Sequence, residues 1–98
     1  MLDVAKGHLD QVKTLLKKFL PEIEVRAFGS RVTGKAKSYS DLDLVLLSAE
    51  PIPLRTMALL KEAFSESDLP FKVDLVDWSL ISEEFRKVID QKNIVITT

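Results

Sequence analysis

The stretch Asp41-Leu42-Asp43-Leu44-Val45-Leu46-Leu47 decides how the rest of the chain is read. After its acidic start it is apolar almost without interruption, the pattern of a central strand buried on both faces except at its first residues. Upstream, Ile23, Val25 and Ala27 alternate with Glu22, Glu24 and Arg26, the period-two signature of a half-buried strand running up to Gly29. Between the two strands, Gly29 to Ser40 holds two glycines, four serines or threonines and three basic residues, and reads as a turn and loop. Further out, Val12, Leu15, Leu16, Phe19 and Leu20 recur at three and four after Leu9, a first amphipathic helix that Pro21 ends. Downstream, Pro51 and Pro53 break the chain, and Leu54, Met57, Leu60 and Phe64 follow at helical spacing. A strand from Phe71 to Asp77, a third helix capped by Ser82 and carrying Phe85, Val88 and Ile89, and a short strand Ile94-Val95-Ile96 complete the order. The expected fold is α/β (α+β): a small mixed sheet flanked by helices.

Ninety-eight residues suit one domain, residues 1–98, and leave no room for a second lobe. With 46% hydrophobic and 30% charged residues, the chain has the balance of a globular domain and not of a disordered one. Fourteen Lys and Arg against fifteen Asp and Glu leave a net charge of −1. No global field therefore draws it to nucleic acid or an anionic membrane, and phosphate binding has to be local. The absence of cysteine removes disulfides, thiolate nucleophiles and zinc–thiolate sites, and fits a cytoplasmic protein. His8 is the sole histidine, which excludes paired-His zinc motifs; it reads as a surface residue. The charged first ten residues and the short apolar runs predict neither a signal peptide nor a membrane span.

Residues two apart on a strand share a face, so Asp41 and Asp43 project together from the start of the most apolar strand. Two like charges held close repel and lose hydration, and a divalent cation offsets both costs. Asp74, between Val73 and Leu75, supplies a third carboxylate from the later strand. If the two strands are neighbours and Asp74 faces the same side, three carboxylates could hold two metal ions, an arrangement suited to phosphoryl or nucleotidyl transfer. Gly29-Ser30 closes the preceding strand, where a residue without Cβ lets backbone N–H groups approach a phosphate and a hydroxyl adds a donor. Alone, an Asp-x-Asp at a strand end or a Gly-Ser turn is ordinary surface chemistry; their conjunction with Asp74 is what points to function. Gly29 to Lys35 also satisfies the first part of a P-loop, but position 36 is Ala, without the hydroxyl that would bind Mg²⁺, and a strand follows instead of a helix.

Gly29-Ser30-Arg31, Gly34, Ala36, Ser40-Asp41-Leu42-Asp43-Leu44 and Val73-Asp74 together resemble the minimal nucleotidyltransferases of the polymerase-β-like superfamily. These are small proteins that accompany HEPN-domain partners in prokaryotic toxin–antitoxin modules. The resemblance runs from the first helix to Ile89. It departs where family members often carry Ala-Arg-Gly and this chain has Val32-Thr33-Gly34, one basic residue fewer.

The resemblance implies a single nucleotidyltransferase domain that moves AMP from ATP to a hydroxyl, with two Mg²⁺ ions as cofactors and pyrophosphate leaving. Carried over residue by residue, Asp41 and Asp43 would bind both metals, and Asp74 would bind the metal beside the acceptor and help deprotonate it. Gly29 and Ser30 would hold the β- and γ-phosphates. Arg31 is either a further phosphate contact or a solvated loop residue. Lys35 and Lys37 read as a solvated charged face, and Tyr39 as a loop anchor or a base-stacking platform. Phe71, Trp78 and Ile94 to Ile96 read as core in preference to interface. The acceptor expected is a tyrosine of a HEPN-type ribonuclease, silenced by AMPylation, with this chain as antitoxin. The alternatives are a nucleotide-binding antitoxin that blocks the ribonuclease sterically, and an aminoglycoside-type transferase, for which a second domain to build the drug pocket is missing. Neither nucleic acid nor membrane is an expected partner.

Overall fold

A computed structural model describes residues 1–97. Its helices are α1 (Lys6–Phe19), α2 (Ser30–Thr33), α3 (Leu54–Ser65) and α4 (Glu83–Gln91), and its strands β1 (Glu24–Phe28), β2 (Leu42–Leu47), β3 (Val73–Asp77) and β4 (Ile94–Thr97). The strands form one sheet in the order β3-β2-β1-β4. β1 runs antiparallel to β2 and β4, and β2 runs parallel to β3. The sheet is therefore mixed, as the sequence predicts.

The uninterrupted apolar run of β2 follows from its two covered faces. Leu42, Leu44 and Leu46 join Val25, Ala27 and Leu75 beneath Val12 and Leu16 of α1 and Leu60 and Phe64 of α3. Val45, on the other face, packs with Phe28 and Ile89 beneath α4, where Phe85 meets Phe28 edge-on at 5.8 Å. Each fully buried leucine contributes about 1.5–3 kcal/mol on the α1 and α3 face, and buried Val45 anchors β2 from the other. Its acidic first turn is held on the most firmly packed strand of the molecule.

The caps are where residue chemistry places them. Ser82 accepts a hydrogen bond from the Phe85 N–H at 3.2 Å, with Glu83 and Glu84 in the first turn of α4. α1 is closed by Leu20, which follows its last residue and whose N–H reaches the Leu16 carbonyl at 2.7 Å, just before Pro21.

Several expectations change. The region expected to be wholly loop contains α2, a single helical turn bracketed by Gly29 and Gly34, both at positive φ. Four residues cannot display a helical period, and Val32, 2% exposed, anchors the turn in the core. α1 begins three residues earlier than Leu9, and β3 begins at Val73 instead of Phe71. Leu54 lies at the start of α3 with 88% of its surface exposed, so it is no part of the core. His8 is half-buried and sits edge-on to Phe71 at 6.0 Å, not free on the surface. Phe71 and Ile96 are core, while Val95 is exposed.

β3 ends in a polar lock that residue types did not announce. Asp77, buried, accepts hydrogen bonds from the Ile52 N–H at 2.9 Å, the Ser48 hydroxyl at 3.1 Å, and the Ser79 N–H and hydroxyl at 2.9 and 2.6 Å. Burial pushes its carboxyl up, but the bonds from Ser79, Ile52 and Ser48 together outweigh burial and hold it below the ordinary carboxylate range. The lock ties the β2–α3 connection to the end of β3 and so keeps the two carboxylate-bearing strands together.

Candidate active site

The parallel register of β2 and β3 sets Asp43 directly beside Asp74. Registered neighbours on adjacent parallel strands project from one face, so the two carboxylates stand together on the α4 side of the sheet. Asp41 lies two residues ahead of Asp43, just before β2 begins. Electrostatics unites the three: burial first, then the charge of Asp74, then that of Asp41, raise the Asp43 carboxyl above its ordinary range. Asp43 is half-buried, whereas Asp41 and Asp74 are exposed, so the group opens to solvent.

Gly29 fits against this group. Phe28 pairs with Asp43 across β1 and β2, so the next residue turns beside the Asp43 carboxylate. Its φ of 78° and ψ of −156° lie in a region open essentially to glycine alone. A Cβ there would overlap Oδ2 of Asp43 and lie 3.2 Å from its Cγ. Backbone conformation and space therefore both demand glycine. Ser30 follows as the first residue of α2, half-buried at the same bend.

The donor set is made of hard oxygens, which suits Mg²⁺ in preference to zinc or copper. Among the described residues no three His, Cys, Asp or Glu side chains are drawn close enough to hold a metal by themselves. Mg²⁺ needs no closed cage, since it takes one or two carboxylates and completes its shell with water and phosphate oxygens. The repulsion at Asp43 and the open flank of the group fit such an ion.

Arg31 has a different place from either one expected for it. It is 5% exposed, so it is not solvated, and its guanidinium donates to the backbone carbonyls of Asp3, Lys37, Ser38 and Ser40. Those bonds set the guanidinium in the frame of the loop and not on an open phosphate-facing surface. Lys35 and Lys37 are exposed, as a solvated charged face would be. Tyr39 is 71% exposed. A groove of about 480 Å³ along β3 includes Asp74, Lys72 and Lys61. The two lysines carry no local sequence signal, because the groove is made by the approach of α3 to β3.

A mixed sheet bearing paired carboxylates beside a glycine bend is the frame of a nucleotidyl-transfer enzyme. Residues 9–97 match the family model described as nucleotidyltransferase domain, and the chain belongs to that family. It is 54% identical over 95 residues, which span 97% of this chain and 83% of the relative, to a Haemophilus influenzae protein named probable protein adenylyltransferase MntA. A solved toxin–antitoxin with AMP-PNP shares the fold with a TM-score of 0.75 at 24% identity, over 90% of this chain and 71% of that one. The complex of tri-AMPylated Shewanella oneidensis HEPN toxin with MNT antitoxin shares it with a TM-score of 0.68 at 22% identity, over 93% and 70% of the two chains. No helix among the described residues is long and apolar enough to cross a membrane.

Proposed function

We propose that the chain transfers AMP from ATP to a tyrosine hydroxyl of a HEPN-type ribonuclease partner and so silences it as an antitoxin. The carrying observation is the register that sets Asp43 beside Asp74, one residue across from the Gly29 bend. The adenylyltransferase name of the Haemophilus relative and the AMPylated HEPN toxin beside the MNT antitoxin support the same reaction.

Gly29, without a Cβ to displace the Asp43 carboxylate, would present its backbone to the triphosphate, and the Ser30 hydroxyl would donate to the β- or γ-phosphate. Asp41 and Asp43 would hold two Mg²⁺ ions, with Asp74 as a further ligand to the one beside the acceptor. Bound there, Mg²⁺ would supply positive charge against the negative charge that develops on the phosphate oxygens. Asp74 accepts the proton of the tyrosine hydroxyl, whose oxygen attacks the α-phosphorus. The bond from that phosphorus to the bridging oxygen breaks, and pyrophosphate leaves with its electron pair. The acceptor comes from the partner, so catalysis requires a hetero-oligomer, at least transiently.

Incubating both proteins with α-labelled ATP and Mg²⁺ tests the reaction. A label is expected on a partner tyrosine, and an unlabelled partner in a complex that still forms would overturn the proposal. Replacing Asp41→Asn together with Asp43→Asn is expected to abolish neutralisation without dissolving the complex. Full neutralisation by that double variant would assign silencing to steric occlusion.

A further inference from the structure

We propose that Arg31 is the positioning residue of this site, holding the peptide that carries Asp41 in fixed relation to Ser30. The inference rests on the function proposed above. Arginine is rarely fully buried unless its donors are used, and here they are used at the junctions of the site. Nε donates to the Ser40 carbonyl at 3.0 Å, and Ser40 is joined directly to Asp41. Nη2 donates to the Ser38 carbonyl at 3.0 Å and the Lys37 carbonyl at 3.4 Å, while Nη1 donates to the Asp3 carbonyl at 2.8 Å.

Through its own backbone Arg31 is joined to Ser30, and its carbonyl accepts the Asp3 N–H at 2.8 Å. The Ser40 hydroxyl, in turn, accepts the Lys37 N–H at 2.9 Å, closing the loop on itself. Against the guanidinium lies the Phe71 ring, 4.4 Å from Cζ to the centroid. Phe71 leads into Lys72, whose carbonyl accepts the Leu42 N–H at 2.9 Å, two residues ahead of Asp74. One planar group therefore touches the approach to Asp41, the approach to β3 and the N-terminal segment, and its own backbone continues into the glycine bend. The rigid fork of five N–H groups suits such a task, and the compact ammonium of lysine cannot reproduce it.

A group that orders the site without touching ATP lowers kcat and leaves KM unchanged, whereas a phosphate ligand raises KM. Arg31→Lys is expected to reduce kcat for partner AMPylation about 100-fold, the cost of a small misplacement. KM for ATP at saturating Mg²⁺ should not change. Calorimetric titration gives a readout apart from turnover: at saturating Mg²⁺, ATP binds Arg31→Lys as it binds the wild type, but a higher Mg²⁺ concentration is needed to reach that affinity. Guanidinium ion at non-denaturing concentration is expected to restore part of the kcat of Arg31→Ala. Should Arg31→Ala not fold, the lysine variant alone decides. A raised KM with kcat retained, or wild-type kinetics and Mg²⁺ response in folded Arg31→Lys, would overturn the proposal. A wild-type chain that transfers no AMP would remove the function proposed above, while the Mg²⁺ response of ATP binding still tests Arg31.

Discussion

Two glycines with nearly the same φ allow the site's geometry to be tested against its own control. Gly29→Ala places a side chain where φ is 78° and ψ −156°, a strain of about 1–3 kcal/mol. The new Cβ also meets Oδ2 and Cγ of Asp43, and such overpacking costs about 1–3 kcal/mol more. The sum, about 2–6 kcal/mol, lowers Tm by at least about 8 °C in a domain of this size. Gly34→Ala sits at φ 82° and ψ 13° with nothing within 4 Å of its Cβ, so it bears only the left-handed penalty of about 1–2 kcal/mol. AMP transfer should fall about 100-fold in Gly29→Ala, where Asp43 is displaced, and remain in Gly34→Ala. Combining each substitution with Asp43→Ala separates strain from contact. With Oδ2 and Cγ gone, the remaining approach to Asp43 Cβ is 3.4 Å, an ordinary contact, and Gly29→Ala then costs strain alone. Denaturant unfolding of the single and double variants measures these terms. An equal cost of Gly29→Ala with and without the Asp43 carboxylate would refute the reasoning, as would full transfer activity in the single variant.

Asp43→Asn relieves a charge that burial, Asp74 and Asp41 all disfavour, and should stabilise the metal-free protein by about 0.5–2 kcal/mol while abolishing transfer. Thermal melts check this, and added Mg²⁺ should raise the wild-type Tm more than that of the variant. Asp77→Ala strands the donors of Ile52, Ser48 and Ser79 and should cost about 1.5–3 kcal/mol in urea unfolding. The folded Asp77 pKa lies below the unfolded value of about 3.9, so its stabilisation is complete above that pH and is lost as pH falls through the folded pKa. Wild-type stability should accordingly drop more steeply on acidification below about pH 4 than that of Asp77→Asn, as pH-dependent unfolding would show.

Local pattern carried much of the architecture. The alternation in Ile23–Ala27 and the apolar run of β2 announced a half-buried strand and a doubly covered one, because a strand's period of two is visible in a few residues. Ser82 was readable as a cap for the same reason: its partner, the Phe85 N–H, lies three residues away. Other features depend on distant chain. His8 and Phe71 meet only because α1 packs near the start of β3, and Asp77 acts as a lock through donors that include Ile52 and Ser48, more than twenty residues upstream. Arg31 looks from its neighbours like a solvated or phosphate-binding cation, since backbone carbonyls, its real partners, leave no trace in residue type.

Residue order by itself placed Asp41 and Asp43 together at the start of one strand with a glycine bend ahead of them, since both are read within one chain segment. That Asp74 joins them was settled by tertiary structure alone. Its face depends on which strand β3 pairs with and in what register, and a slip of one residue would carry its carboxylate to the opposite side of the sheet.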